Sequence, residues 1–390
     1  MSVLFLTVGK GQYGIGASAV DYSEDLYTYL RITDINDDGT LNVNNLKSIN
    51  DKNAERYLLQ PNDIVFARTG NSTGRNYFYD GTDGILVYAG FLIKFSIDSS
   101  KVNPKYIKYY CMSDEYKGWV QGHLTGSTRG NINAQTYANM EISIPPREQQ
   151  NRIVSILEEL ERKRKNNIAI NRNLYEQAVA LFEAMYQGYP VKKIGELDIF
   201  VTDYVANGSF ASLKENVTIL EEKNYAYFVR NVDLKAKEFP RFVNQHSYEF
   251  LSKSKLVGGE VIISNVGDVG SVFLCPKLDG PMTLGNNMIM LTSPKHNNYL
   301  YLFFKSYIGQ GKIGGITGGS AQPKFNKTDF KSLEINYPDE SQVDEFNEKT
   351  SALLDMISKL DEENKQLTAL RDSLLPKLMS GELDVSDLDI

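Results

Sequence analysis

A glycine-rich segment near the start of the chain has the residue types of a cofactor site. Gly9-Lys-Gly-Gln-Tyr-Gly14 matches the pattern G-x-G-x-x-G, in which glycines let a dinucleotide pyrophosphate approach the start of a helix. That use requires a helix directly after the motif, and Ile15-Gly-Ala-Ser-Ala-Val-Asp-Tyr22 is a poor helix start. The pattern therefore favours a binding loop over a dinucleotide site.

Acidic clusters are the other candidate for chemistry, as metal ligands. The two clusters are Asp21, Glu24, Asp25 and Asp34, Asp37, Asp38. Both stand beside Asn and Gly, a composition typical of turns. The three histidines are scattered, and neither a phosphate-binding loop nor a nucleophile elbow occurs. We predict no catalytic residue and no metal site.

Composition and charge limit the class of protein. The chain has 390 residues, 42% of them hydrophobic, and only two cysteines, which excludes a disulfide scaffold. No apolar run approaches 18 residues, so we expect no membrane span and a cytoplasmic location. Residues 339–390 contain 5 basic and 14 acidic residues, whereas the rest contains 37 and 35. A nearly neutral body with an acidic C-terminal segment is compatible with DNA binding.

About half of the chain is duplicated in tandem. Asp63-Ile-Val-Phe-Ala-Arg-Thr-Gly70 is matched 197 positions later by Glu260-Val-Ile-Ile-Ser-Asn-Val-Gly267, and Tyr27–Ile32 resembles Tyr225–Arg230. Two further matches follow, from the loops at Thr125 and Thr317 to the proline-ended strands at Glu141 and Glu334. Each copy places short strand-like runs (64–67, 85–87, 91–95 and 261–263) before a helical patch, a loop and a proline. We predict an α+β fold with two copies of a β-rich domain.

A long helix is predicted after each copy. Leucines and other residues recur at 4-3 spacing from Leu157 to Met185 and from Phe346 to Leu378, the pattern of a coiled-coil seam. Each helix would be about 60 Å long, so it needs a long partner, and an antiparallel pair is the simplest arrangement. Asn171 and Asn364 occupy equivalent seam positions. They either fix the register of the pair or face water where the seam rotates.

Three loops that recur in both copies carry side chains suited to DNA. Arg and Lys read guanine, Asn and Gln read adenine, and glycine allows close approach to a phosphate. The candidate DNA-binding residues are Lys10, Gln12, Tyr13, Arg68, Asn71, Arg75, Thr128, Arg129 and Asn131 in the first copy, and Ser209, Asn265, Lys312, Ser320, Gln322 and Lys324 in the second.

Several segments resemble the specificity subunits of type I restriction–modification systems. Ile144-Pro-Pro-Arg-Glu-Gln-Gln-Asn-Arg-Ile-Val-Ser-Ile-Leu157 resembles the first conserved helical region of that family, and Leu374-Leu-Pro-Lys-Leu-Met-Ser-Gly-Glu-Leu-Asp384 resembles its C-terminal ending. Gly11-Gln-Tyr-Gly14 and Tyr29-Leu-Arg-Ile-Thr-Asp-Ile35 are similar to the openings of its recognition domains. The resemblance covers essentially the whole chain.

The resemblance implies a non-catalytic DNA-recognition subunit. Two target-recognition domains (1–145 and 188–338) would each read one half of a bipartite, asymmetric site, and spacer helices (146–187 and 339–379) would set the gap. The helices would also dock two modification subunits, with Arg162–Lys165 and Asp361–Glu363 as exposed docking faces. The modification subunits would use S-adenosylmethionine, and restriction subunits would use ATP and Mg²⁺, so no cofactor is expected in this chain.

The C-terminal residues are expected to pack near the first domain. Gly381-Glu-Leu-Asp-Val385 repeats Gly195-Glu-Leu-Asp-Ile199, which leads into the second copy, whereas the first copy has little ahead of Gly11. A tail of residues 380–390 would supply what the first copy lacks. Two other functions stay open: a bivalent, non-catalytic protein scaffold, and a nucleotide-dependent enzyme that uses the glycine-rich loop.

Overall fold

The computed structural model describes residues 1–124, 130–319 and 321–385. The chain divides into two compact units, one formed by Met1–Lys165 with Lys365–Ile390 and the other by Asn166–Asn364. Each unit therefore combines one β-rich domain with part of each long helix. In the described residues no helix combines the length and hydrophobicity that crossing a membrane requires.

The first unit contains two four-stranded sheets, and its helices pack mainly on one of them. Its strands are β1 (Gln12–Tyr13), β2 (Ala19–Asp21), β3 (Tyr27–Leu30), β4 (Lys47–Ile49), β5 (Asp63–Ala67), β6 (Asn76–Tyr79), β7 (Leu86–Tyr88) and β8 (Leu92–Ser96). Its helices are α1 (Val3–Leu6), α2 (Pro104–Tyr110), α3 (Asp114–Leu124), α4 (Ala134–Ala138) and the first part of α5 (Arg147–Met185).

The second unit repeats this plan with three additional strands. Its strands are β9 (Val191–Lys193), β10 (Phe200–Asp203), β11 (Ile219–Leu220), β12 (Ala226–Val229), β13 (Phe242–Val243), β14 (Lys255–Leu256), β15 (Val261–Ser264), β16 (Val272–Leu274), β17 (Met282–Leu284), β18 (Met288–Thr292) and β19 (Glu334–Asn336). Its helices are α6 (Phe210–Asn216), α7 (Asn231–Ala236), α8 (Gln245–Phe250), α9 (Asn297–Lys305), α10 (Tyr307–Ile316), α11 (Lys327–Lys331) and the first part of α12 (Glu340–Ser380).

Sheet topology confirms the duplication. The order β1-β8-β5-β6 in the first unit corresponds to β10-β18-β15-β16 in the second, and β2-β4-β3-β7 corresponds to β11-β13-β12-β17. In both units one pair is parallel, β3 with β7 and β12 with β17, among otherwise antiparallel neighbours. The α+β fold class predicted from the sequence is confirmed, because two copies of one mixed topology account for the described strands other than β9, β14 and β19.

One of the sequence matches is displaced by one residue. Matching Tyr27 to Tyr225 makes Tyr29 equivalent to Tyr227, but β3 and β12 align so that Arg31 corresponds to Arg230. Both arginines form a capping box with the acid three residues later, Asp34 and Asp233, at 2.6 Å. A displacement by one residue moves a strand residue to the opposite face of the sheet. The displacement is not apparent from the sequence, because both segments contain two tyrosines at two-residue spacing, which match each other in the wrong alignment.

The long helices are paired through a seam that runs in both units. The predicted 4-3 positions are all buried or partly buried. In the first unit Leu157 lies in one cluster with Leu375 and Leu378, and in the second unit Phe182 shares a cluster with Phe346. Contacts that lie further along α5 involve residues that lie earlier in α12, so the two helices are antiparallel. Burying such a stripe is what makes a helix of this length stable.

Amide side chains hydrogen-bond across the seam in the second unit. Asn167 Nδ2 donates to Glu363 Oε2 at 2.7 Å, and Asn171 Nδ2 donates to Asp361 Oδ1 at 3.0 Å. Lys237 Nζ, at the end of α7, also binds Asp361, at 2.5 Å. Asn171 is therefore bonded to the partner helix rather than solvated. Asp361 and Glu363 of the expected docking face are only partly exposed, because both carboxylates accept hydrogen bonds from α5, whereas Glu362 between them is exposed.

Helix α12 continues past a proline near its C-terminus. Pro376 lies inside the helix, where a proline removes one backbone hydrogen bond and costs about 3 kcal/mol. Leu375 and Leu378 flank it and are buried in the cluster of the first unit. Burial of two leucine side chains, at roughly 1.5–3 kcal/mol each, offsets that cost.

Both chain ends contribute to the core of the first unit. Val3, Leu6 and Val385 belong to one cluster with residues of α2 and α5, and Val385 is 0% exposed. Arg152 donates to the Val385 carbonyl at 2.9 Å. In the second unit Ile199, which ends the repeated Gly-Glu-Leu-Asp sequence, is buried in the corresponding cluster.

We expect Val385→Ala to lower the free energy of unfolding of the first unit by about 2 kcal/mol, since it leaves a cavity in a packed cluster. Hydrogen–deuterium exchange would show the loss as faster exchange in peptides of the first unit, with the second unit unchanged. Leu383→Ala is the matched control, because Leu383 is 38% exposed. Equal effects of the two substitutions would contradict a structural role of the tail.

Candidate nucleic-acid interface

The glycine-rich segment is followed by strands, not by a helix. Its Gln12–Tyr13 forms β1 against β8, and β2 comes next in the chain. A Cβ atom on Gly14 would lie 2.3 Å from the carbonyl oxygens of Tyr88 and Ala89, and one on Gly11 would lie 2.5 Å from the Phe95 ring. These glycines permit close packing against neighbouring strands. The enzyme interpretation loses its structural basis, since a dinucleotide motif needs the helix N-terminus.

In the first unit, three of the predicted loops meet beside the end of β5. The Arg68 carbonyl accepts from the Ile132 amide at 2.9 Å, and Thr69 forms a β-bridge with Asn131. The Arg68 guanidinium lies over the Tyr13 ring, 4.9 Å from its centroid. The structure thus brings together Tyr13, Arg68 and Asn131, one residue from each loop. We call segments 10–14, 68–75, 89–91 and 130–134 the first loop corner.

The second unit has the same corner with different side chains. Asn265 occupies the position of Arg68, because its backbone makes the equivalent hydrogen bonds. The Asn265 backbone amide donates to the Asn287 carbonyl, and its backbone carbonyl accepts from the Phe325 amide, both at 3.0 Å. Val266 bridges with Lys324 as Thr69 does with Asn131. We call segments 203–207, 265–271, 285–287 and 321–327 the second loop corner.

Charge is paired differently at the two corners. Strand pairing makes Asp203 the equivalent of Tyr13. Asp203 Oδ1 accepts from Lys327 Nζ at 3.2 Å, whereas Tyr13 Oη accepts from the Ala134 amide at 3.2 Å. Lys327 of the second corner is therefore paired with a carboxylate, whereas Lys324 is exposed, and the first corner holds an arginine on an aromatic ring.

The loop after the central strand is held by left-handed glycines in both units. Gly70 and Gly267, which the sequence match equates, have φ of 74° and 77°, a conformation that favours glycine. In the second unit Asp268 ties this loop to α7, accepting from Asn231 at 2.9 Å and from Lys235 at 2.6 Å. These bonds lower the pKa of Asp268 to about 2, and the hydrogen bond from Asn231 has the largest effect. Their contribution to stability is complete above the ordinary carboxyl pKa and is lost as the pH falls through about 2.

The remaining predicted residues fall into three groups. Lys10, Gln12, Asn71, Gln322 and Lys324 are exposed. Arg75, Ser209 and Lys312 serve or adjoin local structure: Arg75 binds Asp37 at 2.6 Å, Ser209 caps α6, and Lys312 is partly buried on α10. Thr128, Arg129 and Ser320 lie outside the described residues.

Exposed aromatic side chains in turns and at helix starts are missing from the binding residues predicted from the sequence. Phe91 is 58% exposed, and its carbonyl accepts from the Arg68 amide at 3.0 Å. Phe210, next to Ser209, and Tyr307 at the start of α10 are 82% and 93% exposed. Aromatic residues inside strand-like or helical runs read as core, so only their exposure in the fold singles them out. Stacking on bases is a common use of such rings.

Carboxylates of the two acidic clusters serve local structure. Asp34 and Asp37 bind Arg31 and Arg75, and Asp38 accepts from the amide and hydroxyl of Thr40. Among the described residues, no three His, Cys, Asp or Glu side chains come close enough together to hold a metal ion. These contacts agree with a local structural role of the second cluster, whereas Asp21 of the first cluster lies in β2 and binds Lys47 at 2.8 Å.

Comparison with known proteins gives the same two-copy division. The model of the type I restriction modification DNA specificity domain matches residues 18–175 and again residues 189–370. The chain belongs to this family. Each match contains one β-rich domain and part of the long helix that follows it, so the repeated unit of the family is the domain with its helix.

Relatives of known name or structure cover nearly the whole specificity chain. It is 21% identical to the type I restriction enzyme HindI specificity subunit of Haemophilus influenzae, over 95% of this chain and 99% of that protein. A solved type I restriction–modification S subunit from M. genitalium aligns with a TM-score of 0.56 and 16% identity, covering 97% of this chain and 95% of that one. At 16% identity, the similarity to this solved structure shows the fold alone.

Asp203→Asn is expected to tighten binding of this specificity protein to duplex DNA. The substitution releases Lys327 from its ion pair but keeps an oxygen for the Ala206 amide, which Asp203 caps at 2.8 Å. One more phosphate contact would steepen the slope of log affinity against log salt by about 0.9. Glu334→Gln makes the same charge change at an exposed strand residue and serves as control. Equal slopes for both variants would show that the second corner does not face DNA.

Proposed function

We propose that this chain supplies the DNA-sequence specificity of a type I restriction–modification complex, each β-rich domain reading one half of a bipartite, asymmetric site. The observation that carries the proposal is the loop corner, which has the same backbone hydrogen bonds in both units and different side chains. A duplicated frame with altered side chains is suited to two different half-sequences, because loops vary on a fixed scaffold.

The proposed division of labour follows the chain. Residues 1–145 and 188–338 form the recognition domains, and 146–187 and 339–379 form the spacer helices. Residues 380–390, of which 386–390 lie outside the described residues, form a tail that packs near the first domain. The helices set the gap between the half-sequences and dock two modification subunits. Arg162–Lys165 supports the docking role, since Arg162, Lys163 and Lys165 are exposed on α5.

Catalysis belongs, in this proposal, to the partner subunits. Modification subunits bind S-adenosylmethionine and methylate adenine, and restriction subunits use ATP and Mg²⁺. This chain is the non-catalytic, cytoplasmic component that decides where they act. Its own contribution is the position of base-reading side chains and the distance between them.

Salt dependence separates DNA reading from the competing function, a bivalent protein scaffold. Binding of the complex to duplex DNA should weaken steeply with salt, because each phosphate contact contributes a slope of about −0.9. Six to ten contacts would lower the affinity by roughly 10³–10⁵ between 50 and 200 mM salt. The control is the same duplex with the two half-sequences scrambled. Weak binding with a slope near zero for both duplexes would favour the scaffold.

Shortening both long helices by one heptad should change the required gap without changing either half-sequence. Deleting residues 164–170 together with 361–367 keeps the 4-3 seam in both helices and removes about 10 Å of helix, close to three base pairs. Mapping the methylated sites would show a gap about three base pairs shorter. A matched deletion of four residues from each helix breaks the seam and should abolish methylation. An unchanged gap in the heptad variant would contradict the spacer role.

A further inference from the structure

We propose that Arg68 reads a guanine in one half of the recognised site and that the other half lacks the equivalent contact. This inference rests on the proposed function and adds the identity of a base and of the residue that selects it. It follows from what occupies one position, at the end of the central strand, in each of the two loop corners.

The two positions are topologically the same. Arg68 and Asn265 each follow the strand at the centre of a four-stranded sheet. In each residue the backbone amide donates to a carbonyl in the turn before the neighbouring strand, β8 or β18, and the backbone carbonyl accepts from the loop before a short helix. The main chain therefore presents both side chains in the same way, and the chemistry of the side chain is what differs.

The Arg68 guanidinium is held in place but has no polar partner. It lies on the Tyr13 ring, and its buried Nε makes no hydrogen bond. Within the described residues it has neither a hydrogen bond nor an ion pair, unlike Arg31, Arg75 and Arg230, each of which binds a carboxylate. A planar donor that an aromatic face orients, without an acceptor of its own, is prepared for an acceptor from outside.

Guanine is the base whose edge fits such a donor. In the major groove its O6 and N7 are adjacent acceptors, which a guanidinium fork contacts in pairs, whereas adenine places a donor beside N7. Tyr13, under the guanidinium, is 42% exposed, and Phe91, whose carbonyl accepts from the Arg68 backbone amide, is 58% exposed, so accessible aromatic surface is present at this corner. Contact with the Tyr13 ring restricts where the fork can lie, and a contact to a phosphate does not require such restriction.

The second corner lacks this fork. Asn265 is a neutral amide whose Nδ2 already donates to the Phe325 carbonyl at 3.1 Å. The nearby Lys327 is paired with Asp203. A paired fork to O6 and N7 is therefore a property of the first corner alone, and the two half-sequences must differ in how this position is read.

The test maps methylated adenines in cells that carry the complete complex with wild-type chain, Arg68→Ala, Arg68→Gln or the control Arg56→Ala. Arg56 is an exposed arginine of the same domain. We expect the complex with Arg68→Ala to methylate sites that have any base at one position of one half-sequence, where the wild-type complex requires guanine. The other half-sequence and the gap should be unchanged. Arg68→Gln should favour adenine there, because glutamine pairs with adenine. Arg56→Ala should keep the parental site.

Binding of the purified complex to duplexes with 7-deazaguanine at that position gives a second measurement. The analogue lacks the N7 acceptor, so it should weaken wild-type binding about tenfold and leave binding by the Arg68→Ala complex unchanged. An unchanged site, relaxation at an A·T pair, equal loss at all positions, or equal weakening of both complexes by the analogue would overturn the inference. Absence of any bipartite site with the wild-type chain would instead contradict the proposed function.

Discussion

The seam between the two long helices is the constraint on which the rest of the structure depends. A helix of about 40 residues with an apolar stripe is not stable alone in water, and here the two ends of the stripe are buried in the cores of the units. Leu157 with Leu378, and Phe182 with Phe346, lie in the main cluster of the first and second unit. The helices are therefore structural members of the domains rather than linkers, and each unit needs chain segments distant in sequence.

Polar contacts make that seam specific. Asn167 and Asn171 bind Glu363 and Asp361, and Lys237 of the second domain shares Asp361. Partly buried polar groups contribute less to stability than apolar packing, but they disfavour alternative registers because a slip would leave them unpaired. The same carboxylate thus joins both helices and α7, so the position of the second domain on its helices depends on the register of the pair.

Sequence and structure agree closely on the scaffold and less on the interface. Tyr13, Arg68 and Asn131 are foreseen from residue type and do meet at one corner. Arg75 has the same residue type but is bound to Asp37, 38 positions earlier. Phe91 reads as a strand residue, yet it is exposed beside Arg68. A side chain's residue type states which partner it can bind, whereas its actual partner depends on which distant segment folds against it.

Local pattern was enough for the features that repeat along the chain. Alternation and turns define the strands, 4-3 spacing defines the long helices, and the match between the copies defines the two-domain plan, since each follows from the periodicity of the backbone. The exact strand alignment at Arg31 and Arg230, the pairing of Asp203 with Lys327, and the burial of Val385 required the folded chain. These features join residues up to hundreds of positions apart, and such contacts arise from packing that no local pattern encodes.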